Sequence, residues 1–175
     1  MKAIIILDQI QAGLGGKERA DTPFGGKKIA MGSADNVEKA LKSVDGKIIG
    51  TFYCGTEYYT QHRDLVKSKF SKMAVKMDVD VVITGPTFDY PEFTKMAAEI
   101  ADYIQNNSEI PVIQASAIEK NKETIDQYKE KFPIVKMPKK GGTNLPQALD
   151  NLANGCQILT KKGNLKDFKK ITVIN

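Results

Sequence analysis

Histidine and cysteine are scarce in this sequence: one His and two Cys in 175 residues. With a single imidazole and no Cys-x-x-Cys pair, the chain offers no protein-built zinc or iron–sulfur site, and no metal is expected. Long hydrophobic runs are missing as well. The amino terminus carries a five-residue apolar run, Ala3 to Leu7, before Asp8. That is far short of a signal-peptide core or a membrane span, so a cytoplasmic protein with no membrane partner is expected. Without an export signal, Cys54 and Cys156 are expected to stay reduced rather than to form a structural disulfide. Cys156 lies among Leu152, Ala153, Ile158 and Leu159 and reads as core, while the lone His62 sits in a polar helical turn and reads as surface.

An excess of one charge is modest. Lys and Arg total 26 against 21 Asp and Glu, a formal net charge of +5. The excess falls late, at Lys139-Lys140, Lys161-Lys162 and Lys169-Lys170, without the interleaved aromatics of a single-strand binder. Nucleic acid is therefore not expected as a partner, whereas an anionic ligand or an acidic protein remains open. Hydrophobic content of 41% with 27% charged residues fits one soluble globular domain.

The stretch Ile48 to Tyr53 (IIGTFY) is β-branched and aromatic and reads as a buried strand, broken at its carboxyl end by Cys54-Gly55. Ala3 to Leu7, Asp80 to Thr84, Ile110 to Ala115 and Phe132 to Met137 read as four more strands. Helical spacing predicts helices from Ser33 or Asp35 to Ser43, Thr60 to Met77 (inward Leu65, Val66, Phe70, Met73, Ala74, Met77), Glu92 to Asn107, Glu119 to Lys131, and one ending near Thr160. Five strands alternating with five helices predict an α/β fold: a single domain over 1–160 with a doubly wound, mostly parallel five-stranded, flavodoxin-like sheet. A basic tail over 161–175 holds a short run, Ile171 to Ile174, that reads as a possible extra edge strand.

In such a sheet the loops after the strands converge at one rim, which is where ligands bind. Four segments fall there: the long glycine-rich stretch Asp8 to Gly26, Cys54-Gly55, the turn Gly85 to Pro91, and Lys139 to Thr143. The first is too long to be a mere connector. Gly13, Gly15, Gly16 and Lys17 fit neither the Walker spacing nor the G-x-G-x-x-G fingerprint, which argues against a nucleotide. Cys54 is either an activated thiol or an inert half-buried cysteine. Two prolines stiffen the third segment around Thr87, Asp89 and Tyr90. Lys140, Gly141, Gly142 and Thr143 suit a carboxylate or phosphate, or simply form a cap with solvated lysines. Asp8 and Asp21 would suit an amine or a metal, or a strand-end cap and a loop salt bridge.

At these same residues the sequence resembles the component B selenoprotein family of the glycine, sarcosine and betaine reductases. The matching pieces are Ile10 to Pro23 (IQAGLGGKERADTP), Phe52 to Tyr59 (FYCGTEYY) and Val81 to Asp89 (VVITGPTFD), with a weaker one at Ile110 to Ile113. The resemblance implies the amino-terminal half of an oxidoreductase subunit that splits a C–N bond in a small amino acid or its N-methyl derivative. Cys54 would touch the reacting group, Gly15, Gly16, Asp21, Gly55, Gly85, Thr87 and Asp89 would shape the pocket, and Lys140 to Thr143 would hold a carboxylate. It also implies that the pyruvoyl group and the selenocysteine are carried by partner chains, so the full reaction needs other reductase-complex subunits. A non-catalytic paralogue that binds a small carboxylate, a partner subunit or a second copy of itself is the alternative.

Overall fold

A computed structural model describes residues 1–161. The fully apolar run after Met1 becomes β1 (Lys2–Leu7), and the sheet is completed by β2 (Gly25–Lys27), β3 (Lys47–Tyr53), β4 (Val81–Thr84), β5 (Val112–Ser116) and β6 (Ile134–Lys136). The six strands are ordered β2-β3-β1-β4-β5-β6. All neighbours pair in parallel except β2, which runs antiparallel along the outer edge of β3. The helices are α1 (Ala34–Leu41), α2 (Thr56–Gln61), α3 (Arg63–Lys76), α4 (Pro91–Asn107), α5 (Lys122–Tyr128) and α6 (Leu145–Thr160).

Central strands β1, β4 and β5 bury every residue from Ala3 to Leu7, Val81 to Thr84 and Val112 to Ser116. Burial without alternation means that both faces of the sheet are covered, as in βαβ proteins generally. Helices α1 and α6 pack on each other, and α2 to α5 form the second group. The α/β class and the parallel core follow the sequence reading; the strand count does not. Among the described residues the sheet has six strands rather than five, because the chain inside the glycine-rich stretch adds β2. Its residues carry no apolar alternation to announce a strand. Glycine is what lets it approach: a Cβ on Gly25 would lie 2.6 Å from Tyr53 Oη, and one on Gly26 would lie 3.0 Å from the Phe52 ring.

The helix expected from Thr60 to Met77 is also two helices. His62 leaves the helical region (φ −138°, ψ 34°) and separates α2 from α3. Within α3, Val66, Phe70 and Ala74 are buried with Ser71, whereas Leu65 and Met73, expected to face inward, are 43% and 38% exposed. His62 is exposed against Tyr58, and Cys156 lies wholly in the core, as read from the sequence. The candidate strand Ile171 to Ile174 and most of the basic tail lie outside the described residues.

Candidate functional site

Strand order places β1 between β3 and β4, and the rim above these three strands is built around Asp8. There the apolar strand ends and the chain turns at once: Ala12 N–H donates to the Asp8 carbonyl (3.0 Å), and Gln11 N–H to Asp8 Oδ1 (2.7 Å). Asp8 is 2% exposed. Burial pushes its carboxyl up to about 6, only partly opposed by the backbone amides of Gln11, Ile10 and Asp8 itself. No Lys or Arg among the described residues is paired with it. Gln11, 3% exposed, accepts the Ser33 hydroxyl on Oε1 and leaves Nε2 buried without a partner.

Beside it, β3 ends in Cys54, whose N–H donates to the Leu7 carbonyl (3.1 Å). Cys54 is 0% exposed, and its Sγ donates to the Gly55 carbonyl at 3.4 Å. Burial pushes the thiol up to about 12, so it is neutral here. The glycine-rich stretch folds back over this strand end. Gly55 N–H donates to Thr22 O (2.9 Å), and the first amides of α2, on Glu57 and Tyr58, donate to Ala20 O (2.9 and 3.1 Å). Those amides are therefore engaged internally. Gln9 ties the two segments together, accepting from Thr56 N–H (3.4 Å) and donating to Gly16 O (3.5 Å).

The β4 loop forms the other wall. Gly85 and Thr87 are buried, Gly85 N–H donates to Ile6 O (3.1 Å), and Thr87 Oγ1 bonds Ser116 Oγ (2.6 Å) and Thr94 Oγ1 (2.8 Å). Thr87 thus anchors the loop to β5 and α4. Phe88 takes a left-handed conformation (φ +50°), uncommon for a bulky side chain, and its carbonyl is held by Ala117 N–H and Asn121 Nδ2. Asp89 reaches outward: Oδ1 accepts Lys140 N–H (2.8 Å) and Oδ2 lies 3.4 Å from Lys120 Nζ. The Lys140 amide holds its carboxyl below the usual range, helped by Lys120.

The predicted residues therefore fall into two groups. Gly16, Gly55 and Cys54 are joined with Asp8, Gln9 and Gln11 around β1 and β3, with Gly15 and exposed Asp21 on the loop above. Thr87, Asp89 and Lys140 belong to the β4–β6 side, together with exposed Gly141 and Thr143 and half-buried Gly142. Strand β6 is four spacings from β3 in the sheet, about 19 Å at the usual separation. The Lys140 loop is joined to the rim through Asp89. The sequence reading gave no role to Gln9, Gln11 or Thr56, and took Ser33 only as a possible helix cap. Gln9 and Gln11, following a wholly apolar strand, were the available signal in the sequence.

Asp8 has a measurable consequence. Because its carboxyl is raised above the ordinary value, its neutral form is the one the fold favours. The stability it confers is complete below the unfolded value of 3.8 and is lost as pH rises through about 6. Asp8→Asn, which keeps an oxygen for Gln11 N–H, removes that dependence. Between about pH 4 and about pH 7.5 the wild type is expected to lose about 2 kcal/mol relative to the variant, read from urea unfolding at both pH values. Parallel pH profiles for the two proteins would contradict this.

The glycine/sarcosine/betaine reductase selenoprotein B family model matches residues 1–173. The chain belongs to that family. A glycine reductase complex component B subunit gamma from Peptoclostridium acidaminophilum is 26% identical over 120 residues, 68% of this chain and 27% of that protein. A sarcosine reductase complex component B subunit beta from the same organism is 23% identical over 135 residues, 77% of this chain and 30% of that protein. A betaine reductase complex component B subunit beta, also from that organism, is 22% identical over 118 residues, 67% of this chain and 26% of that protein. The match thus spans less than a third of the length of these curated relatives. No solved structure matches the chain. Among the described residues no helix is long and apolar enough to cross a membrane, and no group of three or more His, Cys, Asp or Glu is placed to hold a metal.

Proposed function

We propose that this chain is a subunit of a glycine-, sarcosine- or betaine-reductase-type assembly, binding a small amino acid or its N-methyl derivative at the rim above β1, β3 and β4. Family membership over nearly the whole chain carries this reading. The parallel strand order β3-β1-β4-β5-β6 supports a flavodoxin-like arrangement with its ligand crevice beside β1, where the order reverses. In this proposal the protein acts in the cytoplasm, and the pyruvoyl group and selenocysteine are carried by partner chains of the complex. The glycine-rich loop and the β4 loop wall the ligand, and the Lys140 to Thr143 loop closes the far side through Asp89.

Cys54 lies beside the reacting group in this reading. To act as nucleophile it must first be uncovered, which means breaking the Gly55–Thr22 and α2–Ala20 backbone bonds. Its burial favours the second reading, a non-catalytic paralogue that uses the same crevice to bind a small carboxylate, a partner subunit or a second copy. Both readings share a bound small molecule. Calorimetric titration with glycine, sarcosine and betaine, against acetate as a nitrogen-free control, tests it. At least one of the three is expected to bind within the usual substrate range of about 1 μM to 1 mM, more tightly than acetate. Binding of none would remove the amino-acid site.

A further inference from the structure

A buried carboxylate with no cation beside it is costly unless something arrives to pair with it. Asp8 is such a group. Its neighbours do not neutralise it. Cys54 on β3 is a neutral thiol, Lys17, Glu18 and Arg19 of the glycine-rich loop are exposed, Asp35 on α1 pairs with Lys39, and Asp89 beyond β4 pairs with Lys120. Burial and backbone amides alone account for its perturbed carboxyl. In the same turn, bonded to Asp8 through its own amide, Gln11 keeps a buried Nε2 with two N–H donors and no acceptor. A buried carboxylate with no counter-charge and a buried donor with no acceptor thus fall in one turn, three residues apart. A small zwitterion satisfies both at once.

We propose that Asp8 and Gln11 form the recognition pair of the crevice, the Asp8 carboxylate accepting from the ammonium group of a small amino acid and Gln11 Nε2 donating to its carboxylate. The inference rests on the crevice reading above and names its contacts. Primary and secondary amines suit Asp8 better than a quaternary ammonium, which has no N–H to donate.

The test is an NMR titration of the 15N-labelled full chain with glycine, methylammonium and acetate, reading the amides of Ile10, Gln11 and Thr56. It is repeated on Asp8→Asn and Gln11→Met variants whose amide spectra report an intact fold. Asp8→Asn is expected to weaken glycine and methylammonium at least about tenfold and leave acetate unchanged, as loss of a charge-assisted bond implies. Gln11→Met is expected to weaken glycine and acetate and spare methylammonium. In the wild type, glycine affinity should fall with pH below about 6, the value at which Asp8 takes up its proton, and stay flat in Asp8→Asn. If Asp8→Asn binds glycine like the wild type, the recognition pair is wrong while the crevice reading stands. If none of the three probes shifts these amides in the wild type, both fail.

Discussion

Replacing Gly55 by alanine is expected to destabilise the chain by about 3 kcal/mol, at the upper end of overpacking effects. A Cβ at that position would lie 2.2 Å from Ala20 O and 2.7 Å from both Ala20 C and Thr22 N. All three are backbone atoms, so no rotamer change relieves the clash. The glycine-rich loop must move off the strand end, and the amides of Glu57 and Tyr58 then lose their acceptor, Ala20 O. Denaturant midpoints measure the loss, and faster hydrogen exchange at Glu57 and Tyr58 shows where it falls. Gly141→Ala is the control: nothing lies within 4 Å of its Cβ, and the cost is limited to a left-handed backbone at φ +76°. That cost is about 1 kcal/mol. Equal destabilisation by the two variants would mean that loop docking at Gly55 is not what holds this rim together.

Native Cys54 is expected to resist iodoacetamide as strongly as Cys156 does. Burial pushes both thiols from the ordinary 9.0 up to about 12, and neither is exposed. Three pH units correspond to roughly a thousandfold smaller thiolate fraction at neutral pH, and thiolate is the reacting form. Alkylation should therefore proceed only through opening, with both cysteines speeding up together in denaturant. The same shift works on stability: the buried neutral thiols favour the fold up to the unfolded value, and that contribution is lost as pH rises toward about 12. Peptide mass spectrometry separates the two sites. Rapid labelling at Cys54 alone, titrating below about 8.5, would show an activated thiol and revive a nucleophilic role in the isolated chain.

Much of the fold was legible because β-branched and apolar runs such as Ala3 to Leu7 and Val81 to Ile83 can be buried only in a covered parallel sheet. The strand β2 escaped because Gly25 and Gly26 pair by backbone alone and have no side-chain signature. The break at His62 escaped because helical periodicity runs on through it. At the site, Cys54, Gly55 and the glycine-rich loop were legible as a rim. Asp8 was already weighed as an amine ligand; the partnerless Gln11 Nε2 was not legible, since it depends on what fails to reach it in three dimensions.

The most direct measurement is a crystal structure of the chain with sarcosine or glycine at saturating concentration. The ligand is expected above β1 between the Asp8 to Gly16 turn and Cys54 to Thr56, with its nitrogen within hydrogen-bonding distance of Asp8. A ligand found elsewhere, such as the groove between α1 and α6 lined by Asn36, Leu149 and Asp150, or a crevice left empty at saturation, would contradict the assignment of this rim as the amino-acid site.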